Sequence, residues 1–297
     1  MPALEIRPYS EDYREEAARL LAARYTRERA AEPLLPEVDD FAAHIPAGEG
    51  AVATRGGEVV AYLIASVRAD RAEVGVAGVA ATEPEAVRDL YAYLARTWPP
   101  RHQAIVPASE CAVVDAFFRL AHGLQFMLAV RETEHAVPVD FGGTIRRGTP
   151  DDLKAVADFD RILWTLQAGS PSFSGLDPAA EDFEAEWADL WEDPLFPLQV
   201  VAQRDGRVIG HALLYRRPSG DLRIPDDNVD LAHAATLDDV RGSGAGLALT
   251  AHVLNWAHEH GFRSITTDWR CVNLLSSRFW PKRGWRPTHY RLYRAVP

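Results

Sequence analysis

The chain has 297 residues, of which 47% are hydrophobic and 25% are charged, and its formal net charge at pH 7 is −11. This length suits two domains of ordinary globular composition. The negative charge argues against a nucleic-acid partner, because binding to phosphates requires clustered Lys and Arg; it fits either a cationic amine substrate or simple solubility.

The cysteines and the N-terminus predict the cellular setting. The two cysteines, Cys111 and Cys271, lie far apart and lack metal-ligand spacing, so we expect neither a disulfide scaffold nor a metal site. The N-terminus lacks the apolar stretch of a signal peptide, and no run approaches the ~20 apolar residues of a membrane span. We therefore predict a soluble, cytoplasmic protein without a membrane partner.

The first half of the sequence predicts strands and helices in mixed order. Two apolar segments joined by Gly56-Gly57 indicate a hairpin, and a third strand and a helix follow it. The half ends with a strand, a short helix, a glycine and a last strand. The main predicted elements are a strand over Leu4–Pro8, a helix over residues 12–25, hairpin strands over 51–55 and 58–68, a strand over 74–82 and a helix over 85–98.

The second half repeats this order of elements. Thr149 is a candidate N-cap followed by Pro150, and Asp205-Gly206 is a typical hairpin turn. The main predicted elements are a strand over Thr144–Arg147, a helix over residues 150–166, hairpin strands over Leu198–Arg204 and 207–216, a strand over 229–237 and a helix over 244–260. The sequence therefore predicts an α/β protein with mixed sheets, built from two tandem domains over residues 1–135 and 143–297.

A glycine-rich loop, Arg241-Gly242-Ser243-Gly244-Ala245-Gly246, lies where the predicted strand over 229–237 leads into the predicted helix over 244–260. The first N–H groups of a helix lack partners and the helix dipole favours an anion there, while glycines let a pyrophosphate approach closely and Arg241 adds a positive charge. A Walker loop would end in Gly-Lys-Ser/Thr, and a dinucleotide fingerprint would need glycine in place of Leu247. Neither rival motif fits.

The loop resembles motif A of the GNAT superfamily of N-acetyltransferases, Gln/Arg-x-x-Gly-x-Gly/Ala, through Arg241, Gly244 and Gly246. Residues 273–285 are similar to the family's Asn-x-x-Ala/Ser-x-x-Phe-Tyr-x-x-x-Gly-Phe segment. The resemblance covers residues 144–297. It implies two tandem GNAT-like domains, each a mixed central sheet flanked by helices, with a degenerate first copy.

The resemblance also implies a function for the second half. This half would bind acetyl-CoA as co-substrate and transfer the acetyl group to a primary amine of a small molecule, with a protein N-terminus or lysine as the alternative acceptor. The strand edge would contact pantetheine and thioester, the loop would hold the pyrophosphate, and backbone N–H groups would stabilise the oxyanion. The residues implied in cofactor binding are Ala234, Ala235, Thr236, Arg241, Gly242, Ser243, Gly244, Ala245, Gly246, Leu247 and Asn273.

The residues for proton transfer depart from the family pattern. The family's usual acid is the Tyr after Phe, but Trp280 stands there, and an indole N–H is no practical acid. Tyr290 or Tyr293 on the last strand, or water, would then protonate the thiolate. For the base, strand alternation places Asp230 and His233 on opposite faces, so we expect only one of them to face the cleft.

Other parts of the sequence suggest less specific roles. In the first half Glu83-Pro84-Glu85 stands in place of the glycines. Acidic groups repel a pyrophosphate, so we expect this half to bind no CoA and to buttress the second. Residues 164–173 and 181–191 are expected to select the acceptor, with Asp177 or Glu184 meeting a cation.

Two classes of function remain open at this point. The first is an acetyl-CoA-dependent N-acetyltransferase, acting as a monomer or a homodimer. The second is a catalytically silent acyl-CoA-binding sensor or interaction protein, which the tryptophan at position 280 keeps open.

Overall fold

A computed structural model describes residues 2–169, 177, 179–191, 193–218 and 220–296. Strands and helices follow one another along the chain, and strands pair both antiparallel and parallel. The predicted mixed α/β class is therefore confirmed. Within those ranges, no helix combines the length and the apolar character needed to cross a lipid bilayer.

The elements lie close to where the sequence predicted them. The strands of the described ranges are β1 (Leu4–Pro8), β2 (Glu49–Arg55), β3 (Glu58–Val67), β4 (Arg71–Val74), β5 (Val79–Ala81), β6 (Arg101–Pro107), β7 (Gly123–Glu132), β8 (Thr144–Arg147), β9 (Leu198–Arg204), β10 (Arg207–Tyr215), β11 (Asn228–Thr236), β12 (Ser264–Arg270) and β13 (Arg286–Ala295). The α-helices there are α1 (Arg14–Ala31), α2 (Ala86–Leu94), α3 (Cys111–Arg119), α4 (Leu153–Ala168), α5 (Phe183–Ala188), α6 (Ala245–Glu259) and α7 (Ser276–Phe279).

The chain divides into two compact units, Met1–Leu128 with Pro287–Pro297, and Ala129–Arg286. The division predicted from the sequence was 1–135 and 143–297, and the two differ mainly in the last strand. Strand β13 pairs antiparallel with β6, from His289 opposite Pro107 to Ala295 opposite Arg101. These hydrogen bonds make the end of the chain part of the first unit, although it follows the second unit in sequence.

The first unit is a mixed sheet covered by helices. Its strands follow the order β1-β2-β3-β4-β6-β13-β7, and β5 pairs with β3. The single strand predicted over residues 74–82 is two strands, because the backbone turns between Gly75 and Gly78. A side chain at Gly78 would place its Cβ 2.5 Å from the carbonyl oxygen of Ile64. Only glycine fits there, because the backbone passes so close to β3.

The second unit places its strands in the order β12-β11-β10-β9-β8. Strands β9 and β10 form the predicted hairpin, and the positive φ angles of Asp205 (51°) and Gly206 (77°) suit a tight turn. The start of α4 has the predicted cap: Thr149 and Asp152 form a reciprocal capping box ahead of the helix.

Two irregularities of β11 shape the middle of this sheet. In its antiparallel pairing with β10, Leu213 lies opposite His233 but Leu214 lies opposite Leu231, so Ala232 is an extra residue that forms a β-bulge. In its parallel pairing with β12, the register extends only from Asn228 to Asp230. Beyond that point β11 and β12 separate and leave a gap in the sheet.

Candidate functional site

A cleft of about 430 Å³ lies in the second unit, where β11 and β12 separate. Its walls come from the end of β11, the glycine loop with the start of α6, the middle of α4, and α7 with the residues after it. Of the residues predicted to bind a cofactor, those that line the cleft are Ala234, Ala235, Thr236, Arg241, Gly242, Gly244, Ala245, Gly246, Leu247 and Asn273. Ser243 is part of the same loop but is not among the lining residues.

The glycine loop opens α6 with unpaired backbone N–H groups. Gly242 and Gly244 have φ angles of 82° and 93°, which L side chains rarely adopt. Gly244 is the N-cap residue of α6, and no side chain of the described residues caps this helix. The N–H groups of its first turn therefore converge on the cleft with the positive end of the helix dipole. This geometry suits a bound phosphate or pyrophosphate.

The charged residue of the loop, Arg241, has a local partner. Its guanidinium forms an ion pair with Asp238, and its side chain is 41% exposed. Because both groups are solvent-accessible, this pair is weak, and Arg241 can exchange Asp238 for an anion in the cleft at little cost.

Asn273 lies at the other end of the cleft and caps α7. Its side-chain oxygen accepts hydrogen bonds from the backbone N–H groups of Leu275 (3.1 Å) and Ser276 (3.3 Å). The side chain thus holds the first turn of α7 against the cleft. Its predicted contact with a pantetheine arm stays a prediction.

Asp230, one of the two predicted bases, is a buried structural carboxylate. It is 2% exposed, accepts hydrogen bonds from Arg217 (2.7 Å) and Thr266 (2.6 Å), and is not among the cleft-lining residues. The expectation that Asp230 and His233 lie on opposite faces was wrong. The bulge at Ala232 shifts the register by one residue and gives both side chains the same face of β11.

His233, the other predicted base, is buried in a polar cluster behind the cleft. Its Nδ1 lies 3.1 Å from Nδ1 of His211, and its Nε2 lies 3.9 Å from Oδ1 of Asp160. The edge of Trp187 packs against both imidazoles, and its indole N–H donates to Asp160 (3.0 Å). Burial lowers the pKa of His233, although the Asp160 carboxylate opposes this effect. Burial also lowers the pKa of His211 well below its usual value.

Tyr290, the predicted acid, lies on β13 in the first unit. It is partly buried, packs against the core of that unit, and stands opposite Val106 of β6. It does not line the cleft of the second unit, and neither does Tyr293. Trp280 does line the cleft, with its ring edge-on to Phe279 and Trp285 at centroid distances of 4.8 and 4.9 Å.

The structure adds residues that the sequence analysis missed. Ile162 and Leu163 bring one face of α4 to the cleft, and Phe279 and Arg283 line it from the other side. The guanidinium carbon of Arg283 lies 3.5 Å from the ring centroid of Phe279, and burial lowers its pKa. The amphipathic pattern of α4 indicated a buried face but not what that face covers.

Of the two stretches predicted to select an acceptor, the first brings Leu166 to the cleft, whereas the aromatic residues of the second are structural. Phe183 and Trp187 of α5 are buried in a core cluster with α4. Glu184 is exposed, and the side chain of Asp177 accepts a hydrogen bond from the N–H of Ala179 (3.1 Å). Phe173 lies outside the described residues.

The corresponding loop of the first unit has a different chemistry. Glu83 pairs with Arg55 through bonds of 2.7 to 3.0 Å, and Glu85 pairs with Arg88 and Arg119. Carboxylates and their arginine partners occupy the start of α2, where the second unit has glycines. An added anion would have to displace these pairs.

Comparisons with known proteins agree with the family resemblance of the second half. The Acetyltransferase (GNAT) family model matches residues 162–285. A protein of Mycobacterium tuberculosis, named as an uncharacterised N-acetyltransferase, is 30% identical over 144 residues, which cover 48% of this chain and 87% of the relative. Mycobacterium bovis has a relative with the same name and the same identity and coverage.

Solved structures share the fold over nearly the whole chain. A GCN5-related N-acetyltransferase from Sphaerobacter thermophilus matches with a TM-score of 0.59 at 16% identity, over 99% of this chain and 97% of that one. A GNAT-family acetyltransferase from Colwellia psychrerythraea matches with a TM-score of 0.53 at 10% identity, over 99% of this chain and 100% of the other. The architecture is thus that of known proteins, although the sequences have diverged widely.

Proposed function

The chain belongs to the GNAT family of acetyltransferases, and we propose that it transfers the acetyl group of acetyl-CoA to a primary amine of a small molecule. The observation that carries the proposal is the uncapped start of α6 beside the split between β11 and β12. A pyrophosphate at this helix end would leave the attached pantetheine arm to extend along the exposed edge of β11. The net charge of −11 would also favour a cationic acceptor.

Each wall of the cleft has a proposed role. The backbone N–H groups from Gly242 to Leu247 would hold the pyrophosphate, with Arg241 and Arg283 adding positive charge. The main chain of Ala234, Ala235 and Thr236 would pair with the pantetheine amides, and a backbone N–H aimed at the thioester carbonyl would stabilise the oxyanion. The apolar face of α4 would receive the body of the acceptor and help exclude water.

Catalysis in this site would depend largely on placement of the two substrates. Holding an amine and a thioester in reacting geometry can supply ~7–11 kcal/mol of the barrier. No tyrosine is among the cleft-lining residues of the described chain, so water would protonate the departing thiolate. The alternative of a catalytically silent acyl-CoA sensor is not favoured, because family membership and an accessible cleft both suit turnover.

The proposed cofactor site can be tested with Gly244→Asp. This substitution puts an L residue at a φ of 93° and a carboxylate at the positive end of α6. Repulsion of ~2 kcal/mol between this carboxylate and a bound pyrophosphate corresponds to about 30-fold weaker binding. We therefore expect acetyl-CoA to raise the melting temperature of the wild type but not of the variant. Gly57→Asp is the matched control, because Gly57 has a φ of 90° and nothing within 4 Å of its added Cβ.

The same proteins decide between the enzyme and the sensor. A panel of small primary amines is offered with acetyl-CoA, and thiol release is followed. Acetylation of a panel member by the wild type and by Gly57→Asp, but not by Gly244→Asp, is the expected result. A thermal shift without release on any amine would favour the sensor, and an equal shift for Gly244→Asp would contradict the cofactor site.

A further inference from the structure

The buried cluster behind the cleft carries an inference about proton transfer. We propose that Asp160, His233 and His211 form a relay in which Nε2 of His211 accepts the proton from the acceptor ammonium. The relay rests on the proposed amine acetylation, since it supplies the base that this reaction requires. His211 was not among the residues predicted from the sequence.

The short distance between the two rings requires His211 and His233 to be in opposite tautomers. The Nδ1 atoms of His211 and His233 are 3.1 Å apart, so one must carry a proton and the other must accept it. The Nε2 atoms of both rings are buried and have no hydrogen-bond partner among the residues that the structure describes. One of them therefore carries a hydrogen and the other a bare lone pair, and the surroundings decide which.

Asp160 determines which ring nitrogen of each histidine carries the hydrogen. Its Oδ1 lies 3.9 Å from Nε2 of His233, and its Oδ2 is held by the indole N–H of Trp187 at 3.0 Å. A carboxylate at this distance favours an N–H on the nitrogen that faces it. His233 then carries its hydrogen on Nε2 and accepts at Nδ1, so His211 donates from Nδ1 and keeps the lone pair on Nε2.

The charged groups around the cluster are acidic and favour a positive charge on the histidine pair. Asp160 and Asp152 act from α4 and its cap: the charge of Asp160 raises the pKa of His233, and the charge of Asp152 raises the pKa of His211. From α5, Glu186 interacts with Asp160, and Trp187 contributes only its ring and its N–H. Burial lowers the pKa of both imidazoles and keeps them neutral before the transfer, and the Asp160 carboxylate opposes this effect at His233, where the positive charge ends.

The cluster lies directly behind the cleft wall. His211 stands opposite Ala235 in the β10–β11 register, and Ala235 lines the cleft. Ala212, which follows His211 on β10, also lines the cleft. Asp160 precedes the cleft-lining Leu163 by one helical turn on α4. Because His211 is fully buried and is not itself a lining residue, a proton from the cleft would reach its Nε2 through one water.

The transfer step balances without any further reactant. The N–H bond of the ammonium breaks, its electron pair stays on the amine nitrogen, and the proton bonds to Nε2 of His211. The Nδ1 proton of His211 then moves to Nδ1 of His233. The positive charge ends on His233 beside the Asp160 carboxylate, and the freed amine attacks the thioester.

Histidine tautomers test the proposal without any substrate. In protein labelled with ¹⁵N-histidine, long-range ¹H–¹⁵N spectra distinguish Nδ1–H from Nε2–H, and spectra of His211→Gln and His233→Gln assign the two residues. We expect His211 protonated on Nδ1 and His233 on Nε2 in the wild type, and loss of this order in Asp160→Asn. A hydrogen on Nε2 of His211, or an order unchanged in Asp160→Asn, would overturn the relay.

Kinetics with an amine from the panel provide the second arm. His211→Gln is expected to lower kcat about 100-fold and to remove the acidic limb of the pH profile, while the acetyl-CoA thermal shift persists. His122→Gln is the control, because His122 is a buried histidine of the first unit and should leave the profile intact. An unchanged pH profile in His211→Gln would refute the relay. If no amine is acetylated, the proposed function fails, while the tautomer spectra still decide the relay.

Discussion

At the scale of single residues, burial determines which titratable groups can exchange protons with a substrate. Asp230 has the chemistry of a base, but Arg217 and Thr266 donate hydrogen bonds to its two oxygens at 2.7 and 2.6 Å. A carboxylate in a buried ion pair is poorly available to a substrate, because protonating it would leave the charge of its arginine partner uncompensated. The histidine pair behind the cleft is buried as well, but its Nε2 atoms remain unpaired. In the proposed relay the accepting lone pair belongs to Nε2 of His211, so neither of the two predicted bases takes the proton from the substrate directly.

A buried histidine of the first unit leads to a prediction about acid stability. Burial, with the charges of His102 and Arg294, lowers the pKa of His122 to about 4, against 6.5 when unfolded. Between pH 6.5 and 4 the unfolded chain binds a proton that the folded chain does not, so stability falls as the pH falls through this window. The full effect is about 3 kcal/mol at 1.36 kcal/mol per unit.

Urea unfolding of the wild type and of His122→Gln at pH 7 and pH 5 measures this effect. We expect the wild type to lose more stability than the variant between these two values. Equal losses would show that His122 does not titrate in the predicted window.

At the scale of elements, the start of α4 supports both the cleft wall and the proposed relay. The carboxylate of Asp152 accepts two bonds of 2.7 Å from Arg146 and one of 2.9 Å from the N–H of Thr149. Those bonds hold the pKa of Asp152 below its usual value. They anchor the helix that presents Asp160 and Leu163, so a local capping motif positions residues several turns further along.

Asp152→Ala tests this anchoring. Removal of the charge-assisted bonds is expected to lower the free energy of unfolding by about 2 kcal/mol. Because the pKa of Asp152 is lowered in the fold, its contribution is present at neutral pH and is lost as the pH falls below its unfolded value. Chemical denaturation at pH 7 measures it, with Asp158→Ala as the control at a half-exposed site of the same helix. A loss no larger than that of the control would contradict the anchoring role.

At the scale of the whole molecule, the end of the chain is required by the first unit. Strand β13 pairs with β6 over seven residues in register, and Leu292 is fully buried in the core of that unit. A central strand cannot be removed without exposing unpaired backbone groups on its neighbours.

Deletion of residues 287–297 tests this arrangement. We expect amide hydrogens of β6 to lose protection against exchange, because their partner strand is gone, while those of the β9–β10 hairpin keep theirs. Hydrogen–deuterium exchange followed by mass spectrometry compares the two regions in one sample. Retained protection in β6 would mean that the last strand is dispensable for the first unit.

Much of the fold and of the cleft was predictable because the signals are local. The Asp205-Gly206 turn, the Thr149 cap and the glycine loop each depend on backbone angles and hydrogen bonds within a few residues. Ten of the eleven residues predicted for the cofactor line one cleft. Their contacts with a cofactor stay a prediction, as does the absence of a cofactor from the first half.

The sequence by itself determined the α/β class, the order of elements and the loop that marks the cleft, since turn, cap and glycine preferences act over a few residues. Only the tertiary structure decided the bulge at Ala232, the separation of β11 from β12, the place of β13 and the meeting of His211 with His233. Each of these depends on hydrogen bonds between residues far apart in sequence. Strand alternation alone therefore misplaced Asp230 relative to His233, and the pairing of β10 with β11 corrects it.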